Sequence, residues 1–150
     1  MSTIVETAPQ LIASATLHVD TPGMGFVEIT ENAVSFIKQA GAGEGVLLIY
    51  LRHTSASLTI QENADPDVQK DLTTALRRLA PEDAGWIHDV EGPDDMPAHV
   101  KAMLTGTGLH VPVVQGAPAL GQWQGIYLIE HRFRPHGREI VLQFIGNRGA

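Results

Sequence analysis

Seven histidines in a 150-residue chain with 5% aromatic residues and no cysteine confine the available site chemistry largely to imidazole and carboxylate. Without thiols there is no disulfide framework and no thiolate nucleophile, and any metal has to be held by histidine and acidic side chains. Four of the histidines, His53, His88, His99 and His131, fall where strands or helices are expected to meet loops, which is where sites are usually built.

Four segments concentrate this chemistry. His53, Thr54 and Ser55 follow a continuous apolar run, so an imidazole and hydroxyls lie among small residues that let a ligand approach. Glu62 and Asn63 precede Asp65-Pro66; the aspartates there serve as well for helix capping as for ligand binding. Between Trp86 and Lys101 stand His88, His99, four carboxylates including Asp95, and the lysine itself, without a His-Glu-x-x-His helix or any other standard zinc spacing. That stretch reads equally as a solvated acidic loop. Gly121–Gly125 frames Trp123 between Gln122 and Gln124, either a platform that stacks a heterocycle or a turn whose indole plugs the core.

The elements that must position these residues follow from periodicity. Loose alternation over 11–20 suits a half-buried strand, turned by Asp20–Gly23. Thr30 is a candidate N-cap for a helix with Ala33, Val34, Ile37 and Ala40 in register, stopped by the glycines at 41–45. Strands are expected at 46–52 and 57–61. Asp65 as N-cap and Pro66 at the first turn open the strongest helix, whose apolar face is Val68, Leu72, Ala75, Leu76 and Leu79, and Pro81 ends it. An acidic connection fills 82–97, a short helix 97–104 stops at Gly106, and strands follow at 110–115, 125–133 and 139–145, the last two as a hairpin around 134–137. Successive strands without intervening helices point to an α+β fold, an antiparallel or mixed β-sandwich or barrel-like core with two to three flanking helices, in one domain over 1–150 with residues 1–10 frayed.

In this order, His53 to Thr59, Glu62-Asn63 with Asp65-Pro66, His88-Asp89, Glu91-Gly92, Asp94 to Pro97, His99, Lys101, Trp123 to Ile126 and Glu130 to Arg132 resemble the YjbQ family over nearly the whole chain. Gln61 and Gln122 depart from it, where the family often has Asn and Thr. The resemblance implies a sheet-rich homotrimer with a polar pocket near the subunit contacts, and a secondary thiamine-phosphate synthase activity joining a pyrimidine methyl diphosphate to a thiazole phosphate with release of pyrophosphate. On that reading a divalent metal ion, zinc or magnesium, sits on His53, His88 and His99, aided by Glu62 or Asp95. Catalytic work falls to His53, Glu62, Asn63, His99 and Lys101, and the phosphorylated small-molecule substrate meets Thr54, Ser55, Trp123, Gln124 and Arg132.

A net charge of −7 argues against a phosphate-backbone footprint and hence against nucleic acid. No apolar run is long enough to span a membrane, and the start, acidic at Glu6 and free of a basic cluster, does not read as a secretory signal, so the cytoplasm is the expected compartment. Two rivals use the same residues differently: a non-catalytic metabolite- or metal-binding protein, and a purely structural assembly subunit whose histidines lie apart.

Overall fold

Chain order in the computed structural model, which describes residues 3–4 and 6–149, is β1 (Leu11–Thr21), β2 (Gly25–Glu28), α1 (Thr30–Gln39), β3 (Ala42–Leu51), β4 (Ala56–Glu62), α2 (Pro66–Leu79), α3 (Asp95–Thr105), β5 (Gly108–Val114), β6 (Ala117–Pro118), β7 (Gln124–Glu130) and β8 (His136–Arg148). The fold is α+β: a five-stranded sheet in the order β1-β8-β3-β5-β6 and a three-stranded sheet in the order β2-β7-β4, with every pairing antiparallel. Side chains alternate across a strand, so Leu47, Ile49 and Leu51 of β3 and Ile140, Leu142 and Phe144 of β8 share the inner face of the large sheet. There they meet Leu58 of β4 and Ile126 and Leu128 of β7. Ala33 and Ile37, one turn apart on α1, complete this core with no exposed surface.

Several elements depart from the sequence reading. Thr30 is the first helical residue and not the cap; its hydroxyl donates to Glu28 Oε1 (2.8 Å) and accepts from the Ile126 amide (2.9 Å), tying α1 to β7. Of the glycines expected to end α1, Gly41 does so with a φ of +61° and its amide bonded to Lys38 O (3.1 Å), whereas Gly43 and Gly45 belong to β3, where Gly45 faces Gly146 across the β3–β8 ladder. A Cβ on Gly45 would stand 2.3 Å from the Ile145 carbonyl oxygen, so the two backbones approach as only glycine permits. β2 was not anticipated. Asp65 caps α2 through its bond from the Asp67 amide (2.9 Å), as expected, yet the helix buries no residue fully and Leu79 is 66% exposed. Of residues 1–10, those described carry no helix or strand, although Gln10 N–H reaches Gly146 O (2.7 Å); Met1, Ser2 and Val5 lie outside the described residues. Among the described residues, no helix is long and apolar enough to cross a membrane.

The expected β7–β8 hairpin does not form: the two strands diverge into different sheets. Buried polar groups span the divergence. Glu130, at the end of β7 with no exposed surface, receives two bonds from the Arg138 guanidinium of β8 (Nε–Oε2 2.8 Å, Nη2–Oε1 2.5 Å) and one from Thr21 Oγ1 of β1 (2.8 Å). Burial works against the Glu130 charge, but bonds from Arg138, the Arg132 amide and Thr21 hold its carboxyl below the usual range. Beside it, Ser57 Oγ lies 2.8 Å from His131 Nε2 and 2.6 Å from Thr105 Oγ1, linking β4, the end of β7 and α3.

Breaking this network has two expected signatures. Arg138→Met strands a buried carboxylate and should cost about 3–5 kcal/mol in urea unfolding; an unchanged midpoint would contradict the pairing. Burial, reinforced by the Lys101 and Arg138 charges and opposed by Glu130, pushes the His131 imidazole down to about 4. The unfolded chain takes up this proton near the ordinary value of about 6.5. Between the two values the unfolded state holds more protons, so stability falls as pH drops from about 6.5 toward 4, by about 3 kcal/mol in all. The stability difference between pH 7 and pH 4.5 should therefore shrink in His131→Asn; an equal difference would show that His131 is not held neutral.

Candidate functional site

Asp95 and His99 occupy positions i and i+4 of α3 and so project from one helix face. The irregular segment between α2 and α3 folds back over that face and brings His88 to the same point, resolving the wide spacing of the two histidines. Asp95, 1% exposed, holds Oδ2 at 2.8 Å from His88 Nε2 and 3.2 Å from His99 Nε2, with the two rings 5.6 Å apart. One donor atom from each residue lies within 4.8 Å of the others.

The proton inventory of His99 decides what this cluster can do. Its Nδ1 lies 2.9 Å from the Thr54 carbonyl oxygen, which can only accept, so Nδ1 carries a hydrogen. In the neutral ring Nε2 then presents a lone pair toward Asp95 Oδ2, another acceptor. Two acceptors at 3.2 Å require a second proton or a cation between or beside them. An imidazole oriented through its other nitrogen by a carbonyl is the usual arrangement of a metal-binding histidine, and two imidazoles with a carboxylate suit a divalent ion.

The carboxylate is itself fixed from behind. Arg132, just after β7, places Nη1 on Asp95 Oδ1, Nε 3.1 Å from Asp94 Oδ2 and Nη2 2.9 Å from the Glu91 carbonyl oxygen, while the Phe133 amide donates to Asp94 (2.8 Å). Burial opposes the Asp94 charge, but the Phe133 and Arg132 bonds outweigh it and lower its pKa. Arg132, expected to meet substrate, is thus engaged with the acidic loop and the start of α3. Asp94 was not among the expected site residues.

Beside the cluster, a pocket of about 400 Å³ is lined by His53, Thr54, His99, Ala102, Met103, Gly106 and Thr107. His53 borders it but stands outside the His88–Asp95–His99 cluster. Its Nε2 accepts the Glu139 amide hydrogen (2.8 Å), which leaves Nδ1 protonated in the neutral ring, so neither nitrogen offers a lone pair; the third residue of the cluster is Asp95. Burial and the Arg138 charge lower the His53 pKa, which keeps the ring neutral. Thr54 contributes its carbonyl to His99, and Ser55 Oγ accepts from Arg138 Nη2 (3.0 Å).

The remaining expected site residues lie elsewhere. Lys101 is two positions beyond His99, about 200° around the helix, and is buried at 3% exposure against a different pocket. Burial first, and the Arg77 charge second, lower its pKa. Glu62, Asn63, Trp123 and Gln124 sit at the far end of the small sheet. The β4–β7 ladder runs from Ala56–Glu130, next to the histidines, to Glu62–Gln124, six residue steps or about 20 Å. There Glu62 Oε2 accepts the Asp65 amide (3.1 Å), the Asn63 amide donates to Trp123 O (3.1 Å), and Gln124 Oε1 accepts the Gly121 amide (2.8 Å). The Trp123 indole is 59% exposed and does not meet the imidazoles within one chain.

Sequence reasoning gave no role to Glu130 and did not single out Arg138. The available signal was a charged residue closing a fully buried strand, which demands a partner.

Comparison with known proteins agrees with this architecture. A family model described as UPF0047 protein YjbQ-like matches residues 15–147. UPF0047 protein sll1880 of Synechocystis sp. is 44% identical over 131 residues, covering 87% of this chain and 89% of that one. UPF0047 protein YjbQ of Escherichia coli O157:H7 is 39% identical over 132 residues, covering 87% and 96%. Among solved structures, the conserved hypothetical protein TT1486 of Thermus thermophilus aligns with a TM-score of 0.76 at 36% identity, covering 85% of this chain and 97% of its own. A YbjQ-like protein of unknown function from Sulfolobus solfataricus P2 shares the fold with a TM-score of 0.81 at 21% identity, covering 91% and 100%. With its match running from within β1 to the end of β8, the chain belongs to the UPF0047 (YjbQ-like) family.

Proposed function

We propose that His88, Asp95 and His99 hold a divalent cation, zinc before magnesium because two of the three donors are imidazoles, and that this centre serves a phosphorylated small molecule entering the pocket beside His53 and Thr54. The observation that carries the reading is the His99 ring, whose Nδ1–H is taken by Thr54 O while Nε2 faces a carboxylate oxygen. A bound cation would supply Lewis-acid charge for a phosphoryl oxygen or a departing diphosphate. The chain's own residues do the positioning: Thr54 O fixes the ring, Arg132 fixes Asp95, and the Glu139 amide fixes His53 at the pocket edge. Joining of a pyrimidine methyl diphosphate to a thiazole phosphate, with release of pyrophosphate, is the transferase reaction we assign for testing; Glu62, Asn63, Trp123 and Gln124 can take part in it only across a contact between copies. We further propose a homotrimer. Ile87 and Val90, on either side of His88, are 99% and 90% exposed, an apolar display that a neighbouring subunit would cover.

Zinc titration by calorimetry should give one ion per chain, and Asp95→Asn and His99→Ala should each weaken it by about 100-fold or more, beyond what the loss of an outer-shell partner does. Full affinity in both variants would remove the metal reading. Pyrophosphate release from the two phosphorylated substrates should stop on chelation and return with zinc. Absence of turnover in zinc-loaded protein would leave a binding protein and refute the transferase. Light scattering should give three times the chain mass, and a monomer at micromolar concentration would contradict the assembly.

A further inference from the structure

On the side of α3 away from the histidines, the end of α2 and the segment after it enclose a pocket of about 400 Å³ lined by Thr74, Arg77, Arg78, Ala80, Pro81, Glu82 and Lys101. Three of these residues are cationic and one is acidic, in a chain whose net charge is −7. Arginines in a last helical turn complement the helix dipole, which accounts for Arg77 and Arg78 but not for a lysine 3% exposed. Elsewhere buried charges are paired: Arg132 with Asp94 and Asp95, Arg138 with Glu130. Lys101 has no carboxylate within 4.0 Å among the described residues, and no hydrogen bond from its ammonium reaches any of them. Yet no fully enclosed side-chain nitrogen or oxygen among the described residues lacks a partner, so Nζ opens onto the space it lines. On its other side, toward His131, the void is only about 10 Å³. Room for a counter-ion exists on the arginine side.

We propose that this pocket is a second binding site, for inorganic phosphate or the phosphate group of a small monoester, with Lys101 beneath the anion and Arg77 and Arg78 at its rim. Burying a cation without a partner is costly, and a dianion that meets it together with two guanidinium groups removes that cost through charge-assisted bonds whose planar donor pairs match phosphate oxygens. A carboxylate, with one charge and two oxygens, engages fewer of the three cations. The proposal does not rest on the metal reading, since the two pockets lie on opposite faces of α3.

The test is a calorimetric titration of the full chain, in chelator, with inorganic phosphate. One saturable site per chain is expected. Arg77→Gln and Lys101→Met should each weaken it by about tenfold or more, the usual effect of deleting a charged hydrogen-bond partner, while His99→Ala leaves it unchanged and acetate competes poorly. Because Lys101→Met removes a buried side chain, the double variant Arg77→Gln with Arg78→Gln, confined to exposed positions, decides the matter should the first fail to fold. The proposal is overturned by the absence of saturable phosphate binding, by affinity that survives the double variant, by loss of binding in His99→Ala, or by equal competition from acetate.

Discussion

The Arg132 guanidinium is the constraint on which the histidine centre depends. Its side chain sits where β7 ends and spans Asp94, Asp95 and the Glu91 carbonyl, so one residue of the sheet fixes both the start of α3 and the loop before it. Without that contact His88 would ride on an irregular segment with little apolar anchorage, since its neighbours Ile87 and Val90 face solvent. The fork geometry of arginine matters here: it satisfies two carboxylates and a carbonyl at once, which a point charge on a flexible stem does not.

The sheet can impose this order because its own end is rigidly held. Glu130 and Arg138, paired out of water, join the small sheet to the large one at the place where Arg132 leaves β7. The Ser57–His131–Thr105 contacts then lock α3 against β4 from below. Removing either partner of a buried pair is far costlier than never having had one, so the network gives the junction one geometry. α3 ends at Gly106, whose φ of +98° suits glycine and whose carbonyl oxygen accepts the Leu58 amide, fixing the helix at its second end. A helix held at both ends presents His99 to one pocket and Lys101 to another.

Much of this was legible in the residues. Period-two and period-3.6 patterns located most strands and all three helices, and the Asp65-Pro66 start of α2 was read correctly because cap and first-turn proline act locally. Pairing was less legible. The 134–137 turn resembles a hairpin, but β8 pairs with β1 and β3 while β7 pairs with β2 and β4, so the two strands enter different sheets. Glycine marked the helix stop at 41 but misled at 43 and 45, where the same residue type permits the close β3–β8 approach. For the site, the histidine-rich stretch from 86 to 101 supplies the His88–Asp95–His99 cluster, but sequence could not show that the Glu139 amide occupies His53 or that Trp123 lies a strand's length away. Long-range hydrogen bonds decide such matters, and they leave no periodic trace.

Arg132 pre-positions Asp95 between the two imidazoles. Arg132→Lys keeps the positive charge and removes the planar fork, so it separates placement from electrostatics. With the fold intact by circular dichroism, zinc affinity should fall by about 10- to 100-fold, the usual consequence of losing a partner that orients a ligand. Zinc affinity equal to that of the unsubstituted chain would contradict the account.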